Sequence, residues 1–198
     1  MANSNKPFGF ALSRSQNAEY SGVVTQCYIP ATNSAKLYVG DAVVLSTGSN
    51  ASAVLGYKAG SLPAVQKAAA TGAIDGVIIG FLPNGESYIT GSLPASTEAV
   101  ALVITDPMAK FNIQASGAAT AAMVGKYANI SVSGSGDNYT GLSGIVLDIS
   151  TVDADPCLQL KIVGIADYLT NEVGNYSVME VEINHEYAAL ATKADKSE

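Results

Sequence analysis

An all-β fold is what this sequence predicts: a compact β-barrel or β-sandwich, the jelly roll among its forms, with one or two short helices and an extended N-terminal arm. Three observations carry the prediction. Short runs of β-branched and aromatic residues recur along the chain, turn-forming residues bound each run, and stretches with helical periodicity are few. The first strand-like run is Val23–Ile29, followed by Leu37–Val39 and Ala42–Leu45. Gly76–Phe81 and Glu98–Thr105 form the middle of the chain, and Lys126–Val132, Gly144–Ile149, Gln159–Ile165 and Ser177–Asn184 complete the set. In the last of these, Met179, Val181 and Ile183 alternate with Glu180, Glu182 and Asn184, the pattern of a strand with one wet face. Leu158, Leu160 and Ile162 alternate in the same way with Gln159 and Lys161.

Two segments carry helical signals. Leu62–Ala70 and Gly117–Val124 contain alanines in runs, and Pro63, Gly72 and Gly125 limit each to about two turns. Thr47–Ser52 and Gly134–Asn138 have the composition of exposed loop tips. The organisation expected is an N-terminal arm over residues 1–20, one β-rich domain over 21–187 and a charged, flexible tail over 188–198. At this length, folding buries roughly 70% of the unfolded surface, enough for one core without metals or disulfides.

Composition narrows the function classes. Ten Lys and Arg against 17 Asp and Glu give a net charge of −7, which argues against a phosphate-backbone binder. Charged residues make up only 14% of the chain, so part of the surface is expected to be covered by other subunits. No apolar run approaches the ~20 residues of a spanning helix, and the N-terminus has no signal-peptide pattern. Neither a membrane partner nor export is expected.

The search for reactive groups yields no catalytic set and no cofactor or metal site. His185 is the only histidine, and a zinc centre needs three or four ligands. It reads instead as a polar residue closing the last strand. Cys27 and Cys157 lie in or beside strand-like runs and read as reduced core thiols. Asp148, Asp153 and Asp155 lack the spacing of a calcium loop and read as turn formers. Gly134-Ser-Gly does not lead a strand into a helix, so nucleotide binding gains no support. The ten tyrosines are scattered and suit packing and interfaces better than base stacking.

Read from end to end, the chain resembles the cement, or head-decoration, proteins of tailed bacteriophages. The likeness begins with Lys6-Pro-Phe-Gly-Phe, Tyr28-Ile-Pro-Ala and Leu37-Tyr-Val-Gly-Asp-Ala-Val. It continues through Gly76-Val-Ile-Ile-Gly-Phe and the segment Thr105–Gln114. Gly141-Leu-Ser-Gly, Leu158–Ile165, Asn171-Glu-Val-Gly-Asn and Val181–Glu186 complete it. Order and spacing carry the resemblance, since no single motif is specific. In place of the more basic segment that usually follows the family's opening, this chain has Ala11–Asn17 with one arginine.

The resemblance implies a non-enzymatic virion protein, assembled in the host cytoplasm and seated on the outer surface of the capsid. Its partners would be the major capsid protein of the same phage and two further copies of itself in a homotrimer, with no nucleic acid and no membrane. On that reading the capsid or subunit contacts fall on the N-terminal arm: Lys6, Pro7, the aromatic anchors Phe8 and Phe10, and Tyr20. The competing assignment has Phe8 and Phe10 capping the chain's own core. Three other functions compete with the cement role: a carbohydrate- or receptor-binding β-module on the virion surface, an enzyme on a β scaffold, and a tail-tube or neck component.

Overall fold

The computed structural model of the chain describes residues 3–13, 24–83 and 91–187. Numbered in chain order, the strands begin with β1 (Ala11–Leu12), β2 (Val24–Ile29), β3 (Leu37–Tyr38), β4 (Ala42–Ser49) and β5 (Pro63–Lys67). β6 (Gly76–Phe81), β7 (Ser92–Leu93), β8 (Ala99–Ile104) and β9 (Lys110–Gln114) follow. The last five are β10 (Tyr127–Ala128), β11 (Ile130–Ser131), β12 (Val146–Leu147), β13 (Leu160–Ile165) and β14 (Val178–Ile183). The fold is all-β, and of its two expected architectures the barrel is the one present.

β2, β5, β4, β6 and β8 close in that order into a barrel. Its pairings are antiparallel except that of β2 with β5, where Tyr28 lies opposite Ala64. The interior is filled by Cys27, Ile29, Val43, Val65, Ile78, Ala101 and Val103. Burial pushes the Cys27 thiol up to about 11. β8 is apolar along its whole length because both of its faces are covered. Ala99, Ala101 and Val103 point into the barrel, Val100 meets Val54 and Leu62, and Ile104 joins a second and larger core.

That second core lies between the barrel wall and an antiparallel sheet of order β1-β9-β14-β13-β10. The sheet contributes Phe111, Ile113, Leu160, Ile162, Met179 and Val181; the barrel contributes Ala42, Ala68, Ile74, Val77 and Ile104. The alternation expected in β14 is present, with Met179, Val181 and Ile183 buried. Two short ladders, β3 with β7 and β11 with β12, fill the seams.

The expected helix over Leu62–Ala70 is instead the strand β5. Pro63 stands at its first position, where a missing N–H is tolerated, and β5 pairs with both β2 and β4. Pairing on two sides and burial of Ala64 and Val65 outweigh the helical preference of the alanines. The second helical segment shrinks to a single 3-10 turn, Ala121–Met123. Asn50, expected in an exposed loop tip, is buried: its amide donates to the carbonyls of Ser52 and Lys58 and accepts from the Leu62 N–H. Gln159, expected on a wet face, is also buried, and it spends both ends of its amide. It donates to the carbonyls of Ala69 and Gly72 and accepts from Ile130 N–H at 3.0 Å. Cys157 is half-buried in a loop and not a core thiol. Asp148, Asp153 and Asp155 each accept a backbone N–H two residues on, the expected turn-forming role.

On the barrel, the Tyr28 hydroxyl donates to the Glu98 carboxylate at 2.6 Å. That bond holds the phenol neutral and pushes its pKa up to about 12. Because an unfolded tyrosine ionises near ~10, the bond's stabilisation is intact below that pH and is lost as pH rises through about 12. An ultraviolet tyrosinate titration should show a late-ionising component that Glu98→Gln moves to lower pH. A titration unchanged by that substitution would contradict the assignment.

Candidate interaction groove

The N-terminal arm, in its described part, is stitched to the domain. β1 pairs with β9, Ala11 opposite Asn112 and Leu12 opposite Phe111. Phe10 is 4% exposed and sets its ring edge-on to Phe111, with centroids 5.8 Å apart. Phe10 thus belongs to the chain's own core, as one of the two expected assignments had it. Immediately before it, Gly9 lies backbone-to-backbone on Gly40 in the β3–β4 turn, and the Phe10 N–H donates to the Gly40 carbonyl at 2.9 Å. Both glycines have positive φ, +69° and +87°, which a side chain would oppose.

That turn holds a buried charge. The Asp41 carboxylate, with no exposed surface, accepts the Tyr38 N–H at 2.9 Å and the Ser143 hydroxyl. Lys67 Nζ of β5 lies 3.1 Å away. One carboxylate therefore joins the arm's docking turn, the barrel and the loop before β12.

Farther toward the N-terminus, the Asn3 amide clamps the β13–β14 connection. Its Nδ2 donates to the carbonyls of Glu172 and Asn175, and its Oδ1 accepts the Glu172 N–H at 3.0 Å. Asn171 closes the same connection from inside. It donates to the carbonyls of Ala166 and Val178 and accepts the Val178 N–H at 2.9 Å.

Between the arm and this connection runs an open groove of about 360 Å³. Asn3, Ser4, Lys6 and Phe8 form one wall; Tyr168, Thr170 and Tyr176 form the other, and Gln114 and Val178 line it from the sheet. Phe8 is half-buried there, while Lys6 and Pro7 are exposed. Tyr20 lies outside the described residues, as does the tail expected at 188–198.

Two features of the groove are costly for the fold. Gln114 is 4% exposed, and its Nε2 donates to the Ser4 carbonyl at 2.9 Å and, at 3.4 Å, to that of Tyr176. Those two acceptors fix the orientation of the amide and leave Oε1 without a hydrogen-bond partner. Tyr176 holds φ at +58°, a left-handed conformation unusual for a bulky residue. One row along the sheet, Asn112 donates to the Tyr168 hydroxyl and its Oδ1 is likewise unpartnered. Glu180, opposite Asn112, accepts the Ser13 hydroxyl at 2.6 Å, and Glu182 lies 3.8 Å from Lys110. These glutamates, expected to be solvated, are half-buried.

Beside the groove, the β13–β14 connection exposes Tyr168, Leu169 and Val173, with Leu169 fully in solvent. Of the groove's residues, the arm's Lys6 and Phe8 were identifiable from sequence. Gln114, Tyr168 and Tyr176 were not, although the alternation of Phe111 and Ile113 with Asn112 and Gln114 is a strand signal that could have placed β9. His185 is exposed just beyond β14. Among the described residues no cluster of three or more His, Cys, Asp or Glu could hold a metal. No protein-family model, no curated protein and no solved structure matches the chain.

Proposed function

We propose that this chain is a capsid cement protein of a tailed bacteriophage, binding the outer surface of the head as a homotrimer and clamping neighbouring major capsid subunits. The observation that carries the reading is the apolar display of the β13–β14 connection, where Tyr168, Leu169 and Val173 stand in solvent next to the N-terminal arm. Apolar side chains grouped on one loop mark a surface that another protein covers. The ordered motifs from Lys6 to Glu186 support the same reading, as does the low charge density of the chain.

The mechanism is multivalency. Each contact of a trimer can be weak, because the second and third form intramolecularly at roughly millimolar effective concentration. Unassembled capsid subunits offer one site at a time and are not retained. An expanded head presents several at matching spacing and is.

Light scattering and co-sedimentation with empty expanded heads test the reading together. The expected result is a particle of three 20.2 kDa chains that pellets with heads to saturation. Leu169→Asp combined with Val173→Asp should weaken that binding about tenfold or more while leaving the thermal transition in place. A monomer that stays in the supernatant overturns the proposal. Wild-type pelleting by the double variant would remove this loop from the contact.

A further inference from the structure

We infer that residues 3–8 of the N-terminal arm form an autoinhibitory strap. The strap opens on its own while the rest of the fold stays intact, and when closed it covers part of the surface that the β13–β14 connection offers a partner. The covering role rests on the reading of that connection as the capsid contact; the independent opening does not.

The arm divides at Gly9. From there on, Gly9, Phe10 and Ser13 are buried, and the segment is held by the Phe10–Phe111 ring contact, the Phe10–Gly40 hydrogen bond and the ladder with β9. Before it, Ser4, Asn5, Lys6 and Pro7 are all exposed and Phe8 is half-buried. Four consecutive residues are thus ordered without burying a side chain, so little apolar burial offsets the backbone entropy they lose. What holds them down is polar. Asn3 bonds the backbone of Glu172 and Asn175, and the Ser4 carbonyl accepts from Gln114 Nε2. Water replaces such bonds at small net cost.

Closure also carries a penalty of its own. Gln114, whose amide the strap binds, has its Oε1 shut away from water and without a hydrogen-bond partner. Lifting Ser4 away lets water reach that amide, so the open form regains hydration that the closed form forgoes.

Opening releases from Asn3 the Glu172 N–H and the carbonyls of Glu172 and Asn175, in the same connection that displays Leu169 and Val173. It also removes the wall that Asn3, Ser4, Lys6 and Phe8 set against Tyr168, Tyr176 and Val178. The surface offered to a partner is larger in the open form. A partner that needs that form binds more weakly in proportion to the fraction of strap that is open.

The test compares the intact protein with Asn3→Ala by native-state hydrogen exchange and by co-sedimentation with empty expanded heads. In the wild type the Glu172 amide should be protected about ten- to hundredfold, insensitive to low urea. The Phe10 and Ser13 amides should be protected about a thousandfold or more and respond to urea as global unfolding does. Asn3→Ala should remove most of the Glu172 protection and leave that of Phe10 within about twofold. Head binding should strengthen by the same factor as the Glu172 protection falls.

Equal protection of Glu172 and Phe10 in the wild type would overturn the proposal, because the arm would then open only with the whole fold. An unprotected Glu172 amide would overturn it as well, since the strap would not be closed. Lost protection with no gain in head binding would refute the covering role. If neither protein pellets with heads, the cement reading fails and the covering role with it, while the exchange measurement, made without heads, still decides whether the strap opens.

Discussion

Asp41→Ala should cost about 3 kcal/mol of folding free energy and lower the thermal midpoint by roughly 6–12 °C. The side chain is fully buried and meets three partners: the Tyr38 N–H, the Ser143 hydroxyl and the Lys67 ammonium. Removing it leaves a buried N–H and a partly buried cation without the acceptor that compensated their desolvation. The loss also reaches across the molecule, because the carboxylate ties the barrel to the loop before β12. Asp41→Asn keeps one acceptor oxygen and should lose less. Urea denaturation of the two variants measures the difference, and a loss below about 1 kcal/mol for the alanine variant would show that the carboxylate is not structurally required.

Gly9→Ala should be comparably damaging, at about 3 kcal/mol, for a different reason. A β-carbon at Gly9 would lie 2.5 Å from the Gly40 carbonyl oxygen and 2.5 Å from Ser143 Cβ. One obstacle is backbone, so relief requires the arm to lift from the β3–β4 turn. The positive φ adds conformational strain to the clash. Lifting the arm would break the Phe10–Gly40 hydrogen bond and loosen the Phe10–Phe111 contact, so hydrogen exchange at the Phe10 amide should accelerate along with the fall in stability. Gly117→Ala is the control: its β-carbon would meet open space, and stability should change by no more than about 0.5 kcal/mol. Equal behaviour of the two variants would refute the close-approach argument.

Much of the strand content was legible because these strands obey local rules. Gly76–Phe81 is bounded by turn residues and coincides with β6, and the alternation in Ser177–Asn184 places the buried face of β14. β9 escaped because two of its five residues, Asn112 and Gln114, are amides buried on the face that the arm and the β13–β14 connection cover. β5 was misread because what decides it is non-local: a parallel partner in β2 and an antiparallel one in β4. The same parallel pair closes the barrel, and nothing in the local sequence signals it.

The groove shows the same division. Lys6 and Phe8 stood out on an arm too polar to fold alone. Their counterparts come from far along the chain, Gln114 lying 110 residues from Ser4, whose carbonyl it binds. Tyr176 gives no sign in sequence of a left-handed backbone, since that conformation is imposed by the loop around it.

The connectivity of the arm also bears on how the chain is made. The barrel draws on a contiguous stretch, residues 24–104, so all its strands are synthesised before β9. The arm is synthesised before the barrel, yet Phe10 must wait 101 residues for Phe111, roughly 5–20 s at ordinary elongation rates. Asn3 waits longer still, until Glu172 and Asn175 have emerged. The arm is thus made before the barrel yet finds its place after it, and a nascent barrel carries the arm undocked until β9 and the β13–β14 connection have been made.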